Sequence, residues 1–305
     1  MNQYILTFLT LPLLFLLVPL AGSTAATAAP QTFSTALPVA KGEFVFREQI
    51  FHKSAGGGPA GQNRELNVDG AIAVLGYGYN SDLTLFAILP ASRKRLWLTQ
   101  TDGTRIRRIA GGLGDMRLLA RLAVFKDNAP GQSLRIAPYG GIELPSGRND
   151  QSDRYGLLPR PMQPGSGSWD PFAGLIITFQ TLDYEIDAQL AYQWNTEADN
   201  YAFGDKFRAD VSLQYRLWPR VLSARPAGFL YGVLEGNFLY QAHDRQNGSP
   251  VADSGGTTLS LAPGLQFVTR RWIAEAILQP PLRQNPGGAA LEDDFALRLS
   301  FRFNF

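Results

Sequence analysis

The sequence contains no cysteine and only two histidines, His52 and His243. Without cysteine the chain can form neither a disulfide nor a thiolate metal site, and two isolated histidines lack the paired spacing of a zinc site. The net charge is +2, from 28 basic and 26 acidic residues, without the concentrated basic face that nucleic-acid binding requires. The sequence therefore predicts no metal, no cofactor and no nucleic-acid partner.

Long apolar runs are also missing after residue 30, so no later segment has the length of a membrane-spanning helix. The start of the chain differs, because 5–22 is apolar and 26–28 reads Ala-Thr-Ala. We interpret 1–28 as a secretory signal peptide that is removed by cleavage. The first four residues contain no lysine or arginine, and an uncleaved membrane anchor is the alternative.

In place of long apolar runs, the chain shows repeated alternation of apolar and polar residues. Because successive side chains of a strand point to opposite faces, each such segment predicts a strand with one apolar face. Twelve segments read this way, near 43–51, 65–79, 82–90, 113–126, 132–145, 171–180, 183–195, 205–218, 227–242, 257–268, 271–280 and 293–305. The links between them tend to alternate between long and short, which is typical of a membrane barrel.

The last strand is the most informative segment. One face carries Phe295, Leu297, Leu299, Phe301, Phe303 and Phe305, and the other carries Arg298 and Arg302. A soluble sandwich is the alternative, but an apolar outer face that ends on phenylalanine favours the last strand of an outer-membrane barrel. In hydrocarbon every backbone polar group needs a protein partner, so the sheet must close.

The fold prediction is thus an all-β, transmembrane, antiparallel up-and-down barrel of about 12 strands in the bacterial outer membrane. The barrel covers 43–305. Residues 29–42 are assigned to a periplasmic N-terminal arm, with a plug inside the barrel as the other possibility.

With the apolar face outside, a set of charged residues of both signs faces the lumen. The lumen-lining candidates are Asp115, Arg117, Arg121, Arg135, Glu143, Glu185, Asp187, Lys206, Arg208, Asp210, Arg216, Glu235, Glu275, Arg298 and Arg302. A narrow polar pore for a small solute is favoured, because twelve strands lie between small filled barrels and wide porins. A filled, non-conducting structural barrel is the alternative.

Three segments, together with the terminal strand, resemble a known family. They are 82–90 (Asp-Leu-Thr-Leu-Phe-Ala-Ile-Leu-Pro), 112–115 (Gly-Leu-Gly-Asp) and 139–147 (Tyr-Gly-Gly-Ile-Glu-Leu-Pro-Ser-Gly). These segments are similar to the phenol-degradation meta-pathway family of outer-membrane proteins. The resemblance implies a barrel-shaped channel that admits a small hydrophobic or aromatic solute, without catalytic residues.

An enzyme of the outer-membrane phospholipase type is the competing function. His243 and Asp244 lie near Ser249 and Ser254 in one predicted loop, but no nucleophile elbow accompanies them. The prediction is therefore a protein that is not an enzyme.

Outer-membrane lipid, lipopolysaccharide and the barrel-assembly machinery are the predicted macromolecular partners. The predicted loop 91–112 carries Arg93, Lys94, Arg95, Arg105, Arg107 and Arg108. These cations either bind lipopolysaccharide phosphates, which suit arginine, or face solvent. The terminal residues Phe301, Phe303 and Phe305 are the candidate contact with the assembly machinery.

Overall fold

The computed structural model describes residues 28–58, 60–221 and 226–305, so nearly all of the predicted signal peptide lies outside the described residues. The barrel strands are β1 (Phe44–Gly57), β2 (Arg64–Gly78), β3 (Leu83–Thr99), β4 (Arg105–Leu113, Met116–Leu122 and Phe125–Ala129), β5 (Gln132–Leu144), β6 (Asp170–Thr181), β7 (Tyr184–Gln193), β8 (Lys206–Trp218), β9 (Phe229–Gln241), β10 (Gly256–Val268), β11 (Trp272–Gln279 and Pro281–Pro286) and β12 (Leu291–Asn304).

Shorter elements lie in the loops. Six two-residue strands occupy Ser152–Asp153, Gly156–Leu157, Glu197–Ala198, Tyr201–Ala202, Arg245–Gln246 and Ser249–Pro250, and Arg160–Met162 forms a 3₁₀ turn. No helix in the described part of the chain is long and apolar enough to cross a membrane.

The sheet closes on itself. Each strand is antiparallel to the next along the chain, and β1 pairs with β12 from Val45 opposite Asn304 to Gly57 opposite Leu291. At the end of this seam the Phe44 amide donates to the Phe305 carbonyl at 2.7 Å. The predicted closed antiparallel barrel of 12 strands is therefore confirmed, and it leaves no open edge to hydrocarbon.

The two rims of the barrel differ. One rim, here the turn rim, carries the short connections 79–82, 130–131, 182–183 and 269–271, and the other, the loop rim, carries 145–169, 194–205 and 242–255. β1 begins and β12 ends at the turn rim. In bacterial barrels the short turns face the periplasm, so the loop rim is the extracellular one.

The prediction of a long loop at 91–112 is wrong. β3 continues to Thr99 and β4 begins at Arg105, so only five residues, 100–104, connect them. β1 likewise continues through His52, which was placed in a loop. Where a strand extends beyond the hydrocarbon, its outward side chains face water and need not be apolar. The alternation of apolar and polar residues is lost there, although the hydrogen bonds between the strands continue.

Apolar side chains on the outer face form a belt. Its exposed members include Leu85, Leu89, Leu118, Ile177, Ile186, Leu190, Val211, Leu213, Leu234, Leu259, Leu265, Leu278, Leu297 and Leu299. Exposed rings lie towards both rims, with Trp218 at the turn rim and Trp194 and Tyr240 towards the loop rim. A continuous apolar band between aromatic residues is the surface that a membrane barrel presents to lipid.

Residues 29–42, here called the arm, lie inside the barrel from residue 29 to residue 39. The Val39 amide donates to Thr84 Oγ1 at 3.1 Å, the Ala36 amide to Thr178 Oγ1 at 2.8 Å, and the Ala29 amide to Gln266 Oε1 at 3.2 Å. These partners belong to β3, β6 and β10, so the arm crosses the lumen. The inner wall thus supplies hydrogen-bond partners to the backbone of the arm.

Candidate functional site: the barrel lumen

The structure places the predicted lumen residues in three groups. Arg117, Arg121, Arg135, Glu143, Lys206, Arg208, Arg298 and Arg302 line the central cavity. Glu185, Asp187, Asp210, Glu235 and Glu275 are buried in the wall, while Asp115 and Arg216 lie near the loop rim and the turn rim. Arg216 pairs with Asp183 of the turn. The structure therefore brings eight of the fifteen candidates to the cavity and places the other seven elsewhere on the barrel.

Glu235 holds the amino-terminal part of the arm. Its Oε1 accepts from the Gln31 amide at 2.5 Å, and its Oε2 accepts from the Thr32 amide at 3.1 Å and from the Thr32 hydroxyl. Glu235 is fully buried. Three donors on one carboxylate form charge-assisted hydrogen bonds, which are stronger than those between neutral groups.

Arg121 holds the middle of the arm. Its guanidinium donates to Ser34 Oγ at 2.6 Å, to the Thr35 carbonyl at 2.5 Å and to the Leu37 carbonyl at 2.6 Å. The side chain is 4% exposed. A guanidinium has five donors in a fixed plane, so one arginine can satisfy several carbonyls of an irregular segment.

A second basic residue holds the arm and was not among the candidates. Arg47 Nη2 donates to the Gln31 carbonyl at 2.7 Å and to Glu275 Oε2 at 2.9 Å. Gln49, two residues later on β1, donates to the same carbonyl at 3.1 Å. β1 alternates poorly in the sequence, and the spacing of Arg47 and Gln49 is the signal that could have identified them.

Two neighbouring carboxylates support the arm from below its centre. The Thr178 hydroxyl accepts from the Ala36 amide of the arm and donates to Asp187. Glu185 accepts from the Gln180 side chain at 2.7 Å. Asp187 and Glu185 are 0% and 1% exposed. The arm thus rests on a layer of buried polar side chains in the half of the lumen nearest the turn rim.

At the opposite rim, loop 145–169 folds over the barrel mouth. Asp115 accepts from the Gly147 amide at 2.8 Å and from the Ser166 amide and hydroxyl at 2.6 and 2.8 Å. Lys94 donates to the carbonyls of Pro161 and Gln163, both at 2.8 Å. Asp115 therefore anchors the loop.

The segment before Asp115 interrupts β4. Gly112 has a φ of +146°, and a Cβ at Gly114 would approach the Pro90 ring at 3.1 Å. The two glycines let the chain bend where the extended β3–β4 hairpin leaves the barrel wall. This bend presents Asp115 to the loop.

Beside the arm lies a cavity of about 1190 Å³. Its lining extends from Ser81 and Lys126 at the turn rim to Lys53 and Asp293 near the loop rim. The cavity therefore runs alongside the arm, and the arm narrows it.

The His243 loop does not assemble a catalytic triad. Ser254 Oγ donates to the Val251 carbonyl at 2.6 Å and accepts from the Asp244 amide at 2.9 Å. Within the described residues no hydrogen bond joins His243 to a serine. Asp244 accepts from the Tyr201 hydroxyl. The pKa of Tyr201 is raised, mainly because the hydroxyl is buried and also because the Asp244 carboxylate lies next to it. These contacts tie two extracellular loops together.

The described residues contain no group of three or more histidine, aspartate or glutamate side chains that could hold a metal ion.

Of three comparisons with solved structures, the first supports the barrel fold. An outer membrane channel from Pseudomonas putida F1 superposes with a TM-score of 0.66 at 15% identity, covering 92% of this chain and 100% of that one. The transport unit of the autotransporter AIDA-I from Escherichia coli gives 0.47 at 12% identity over 86% and 90% of the two chains. The CymD monoaromatic hydrocarbon channel gives 0.41 at 10% identity over 88% and 89%.

No curated protein matches the sequence significantly. A family model, in contrast, matches residues 57–275, which is well over half of the chain. The chain belongs to the family described as "Putative MetA-pathway of phenol degradation".

Proposed function

We propose that this protein is a channel for the passive passage of a small solute across the bacterial outer membrane. The lumen cavity is the observation that carries the proposal, because its lining reaches from one rim towards the other. The wall around it is a closed sheet with an apolar outer face. Charged and polar groups that line such a path set the energy profile of a permeating solute.

The arm sets the width of the path. Its segment 29–39 is held by Glu235, Arg121 and Arg47 through hydrogen bonds to side chains and not through a sheet ladder. A segment held in this way can be displaced without opening the barrel wall. The channel is therefore narrow while the arm is seated and wider when the arm leaves.

The solute is a small hydrophobic or aromatic molecule. Membership of a family described by phenol degradation supports this class. The cavity wall adds a physical reason, since Phe86, Tyr139, Phe172 and Ile176 line it beside the charged groups. A path with apolar and polar surface together suits a solute that combines a ring with a polar substituent.

Planar-bilayer recording tests the proposal. We expect discrete current steps from the purified protein, and larger steps when residues 29–39 are deleted, because the deletion clears the arm from the lumen. A variant that lacks the exposed segment 247–248 at a loop tip is the control, and its currents should equal those of the intact chain. Absence of steps in both the intact and the arm-deleted protein would support a structural barrel instead.

The channel is not an enzyme in this proposal. His243→Ala should change neither solute flux nor lipid hydrolysis. A catalytic role for His243 would need Ser254 as the nucleophile, and the Ser254 hydroxyl is hydrogen-bonded to backbone groups instead. A hydrolytic activity that the intact protein has and the variant lacks would favour the phospholipase alternative.

The outer end of the β3–β4 hairpin supplies a candidate contact with lipopolysaccharide. Arg95 pairs with Asp69, and Arg105 pairs with Glu65 at 3.0 Å. Arg93 and Arg107 form no ion pair with a described residue, and both are exposed. Two unpaired guanidinium groups near the extracellular lipid surface suit the phosphates of lipopolysaccharide.

A double variant, Arg93→Gln with Arg107→Gln, tests this contact. It should lower thermal stability in lipopolysaccharide and leave it unchanged in phosphatidylcholine. Arg270→Gln at the turn rim is the control and should behave like the intact protein in both lipids. Equal stability of all proteins in lipopolysaccharide would exclude the contact.

The terminal strand is the proposed contact with the barrel-assembly machinery. Phe301 is 47% exposed on the outer face, and the ring centroids of Phe303 and Phe305 are 5.9 Å apart. Phe305 also completes the seam with Phe44. Phe305→Ala should reduce the amount of assembled barrel in cells more than it reduces refolding of the purified chain. An equal loss in both assays would assign Phe305 a purely structural role.

A further inference from the structure

Lys206 is a cation in the lumen without a counter-ion. It starts β8 and lines the cavity. Glu143, Asp170 and Asp244 lie within electrostatic range of its ammonium group. Glu143, however, pairs with Arg117 at 2.9 Å, and Asp170 accepts from the Thr196 amide at 2.7 Å. Asp244 accepts from the Gly204 amide at 2.8 Å. Within the described residues no carboxylate lies within 4.0 Å of the Lys206 ammonium.

Arg298 is a second cation of this kind, further from the loop rim. Its guanidinium donates to the amide oxygens Gln49 Oε1 at 3.2 Å and Gln279 Oε1 at 3.5 Å. Its Nε is buried and has no hydrogen-bond partner in the described part of the chain. Neutral amides satisfy some of its donors but leave its charge uncompensated.

The other side chains of the cavity wall do not offset these charges. Among the described residues, eleven basic and three acidic side chains line the cavity, the acidic ones being Glu43, Glu143 and Asp293. Carboxylates of described residues outside the lining pair with Arg47, Lys126 and Arg208, but not with Lys206 or Arg298. Asp293 pairs with Lys53 at 2.7 Å. A charge that is removed from bulk water without a counter-ion costs free energy, so an anion that enters this space is stabilised.

Aromatic rings adjoin the Lys206 side of the cavity. Phe172 lies opposite Gln193 in the β6–β7 ladder, and Gln193 lies opposite Lys206 in the β7–β8 ladder. Neighbouring strands are about 4.8 Å apart, so the backbones of Phe172 and Lys206 are roughly 10 Å apart on the inner wall. The ring centroid of Tyr139 lies 6.4 Å from that of Phe172, and the Arg117 guanidinium lies over one face of the Phe172 ring at 4.4 Å.

We propose that the lumen contains a binding site for a small aromatic anion, with a carboxylate at Lys206 and a ring against Phe172 and Tyr139. The site rests on the proposed channel function, since it makes an anionic ring compound the preferred solute over its neutral analogue. Arg298 provides the next positive group along the path, so an anion that leaves Lys206 finds a second favourable position.

Equilibrium binding tests the site without a need for ion current. The full chain, purified from outer membranes in detergent, is titrated at low ionic strength with benzoate and with the neutral analogue benzyl alcohol. We expect benzoate to bind at least tenfold more tightly. Lys206→Met should remove this difference, and Lys206→Arg should retain most of it. Arg270→Met, which removes a cation at the turn rim outside the cavity lining, should bind benzoate as the intact protein does.

Two outcomes would overturn the site. The first is equal binding of benzoate and benzyl alcohol to the intact protein, and the second is undiminished benzoate binding by folded Lys206→Met. Heat-modifiable migration in gel electrophoresis shows whether each variant is folded. A protein that binds benzoate but gives no bilayer current would contradict the channel function and leave the site standing, so the two failures are distinguishable.

Discussion

Replacement of Glu235 by glutamine should release the amino-terminal part of the arm. The carboxylate accepts three hydrogen bonds, from the Gln31 amide and from the amide and hydroxyl of Thr32. Glutamine has nearly the same shape but only one acceptor oxygen, and its amide nitrogen would face a donor. The change therefore tests the hydrogen bonds with little change in packing.

The expected magnitude follows from the number and type of these bonds. A hydrogen bond to a charged group contributes about 1.5–3 kcal/mol. Because glutamine preserves one acceptor and the remaining losses are not additive, we expect a net weakening of roughly one such bond. Since 1.4 kcal/mol corresponds to a factor of ten, the population with a displaced arm should rise about ten- to hundredfold.

Hydrogen exchange and single-channel recording measure this population. The amides of Gln31 and Thr32 should exchange faster in Glu235→Gln by that factor, while amides in the strand ladders keep their rates. Current steps should become larger or more frequent. Glu65→Gln is the matched control, because it makes the same change in an exposed pair with Arg105. Unchanged exchange at Gln31 and Thr32 would refute the assignment of Glu235 as the group that holds the arm.

Three further predictions follow from the belt and the loop anchors. Leu299→Arg should lower the free energy of unfolding in lipid by about 2–4 kcal/mol, since Leu299 faces hydrocarbon, whereas equal stability of Leu299→Arg and Leu299→Phe would contradict that position. Asp115→Asn should make loop 145–169 more sensitive to limited proteolysis, because three donors lose a charged acceptor, and an unchanged cleavage rate would exclude this anchor. The hydrogen bond from Arg108 holds the pKa of Asp153 below its usual 3.8, so this contact stabilises the loop above pH 3.8 and is lost as the pH falls through the lowered value. Protection factors of the loop amides, corrected for the pH dependence of intrinsic exchange, should be lower at pH 2.5 than at pH 5, and equal protection factors would argue against this contact.

The barrel wall was predictable because its signal is local. The alternation in 206–217 or in 295–305 depends only on which face of a strand meets lipid, and neither the partner strand nor the register is needed to see it. The same rule failed at 91–112, where the strands extend beyond the hydrocarbon. Arg93 and Arg95 then occupy outward positions on β3, and a polar strand resembles a loop in the sequence.

The partners of the inner polar residues were not predictable. Asp115 was identified as inward, but its partner proved to be the backbone of loop 145–169, with no basic side chain involved. Lys94 was assigned to a surface loop and instead faces inward, where it holds the carbonyls of Pro161 and Gln163. These contacts depend on how a long loop folds, and the residues of that loop show no periodic pattern.

The sequence by itself indicated a closed barrel with an apolar outside, because strand alternation gives one apolar face and a sheet in lipid must close to satisfy its backbone groups. Only the tertiary structure decided what fills the inside. Glu235 and Thr32 are separated by 203 positions, and no local pattern relates them. Closure of the barrel brings them together, and the arm lies where unpaired polar groups of the inner wall meet its backbone.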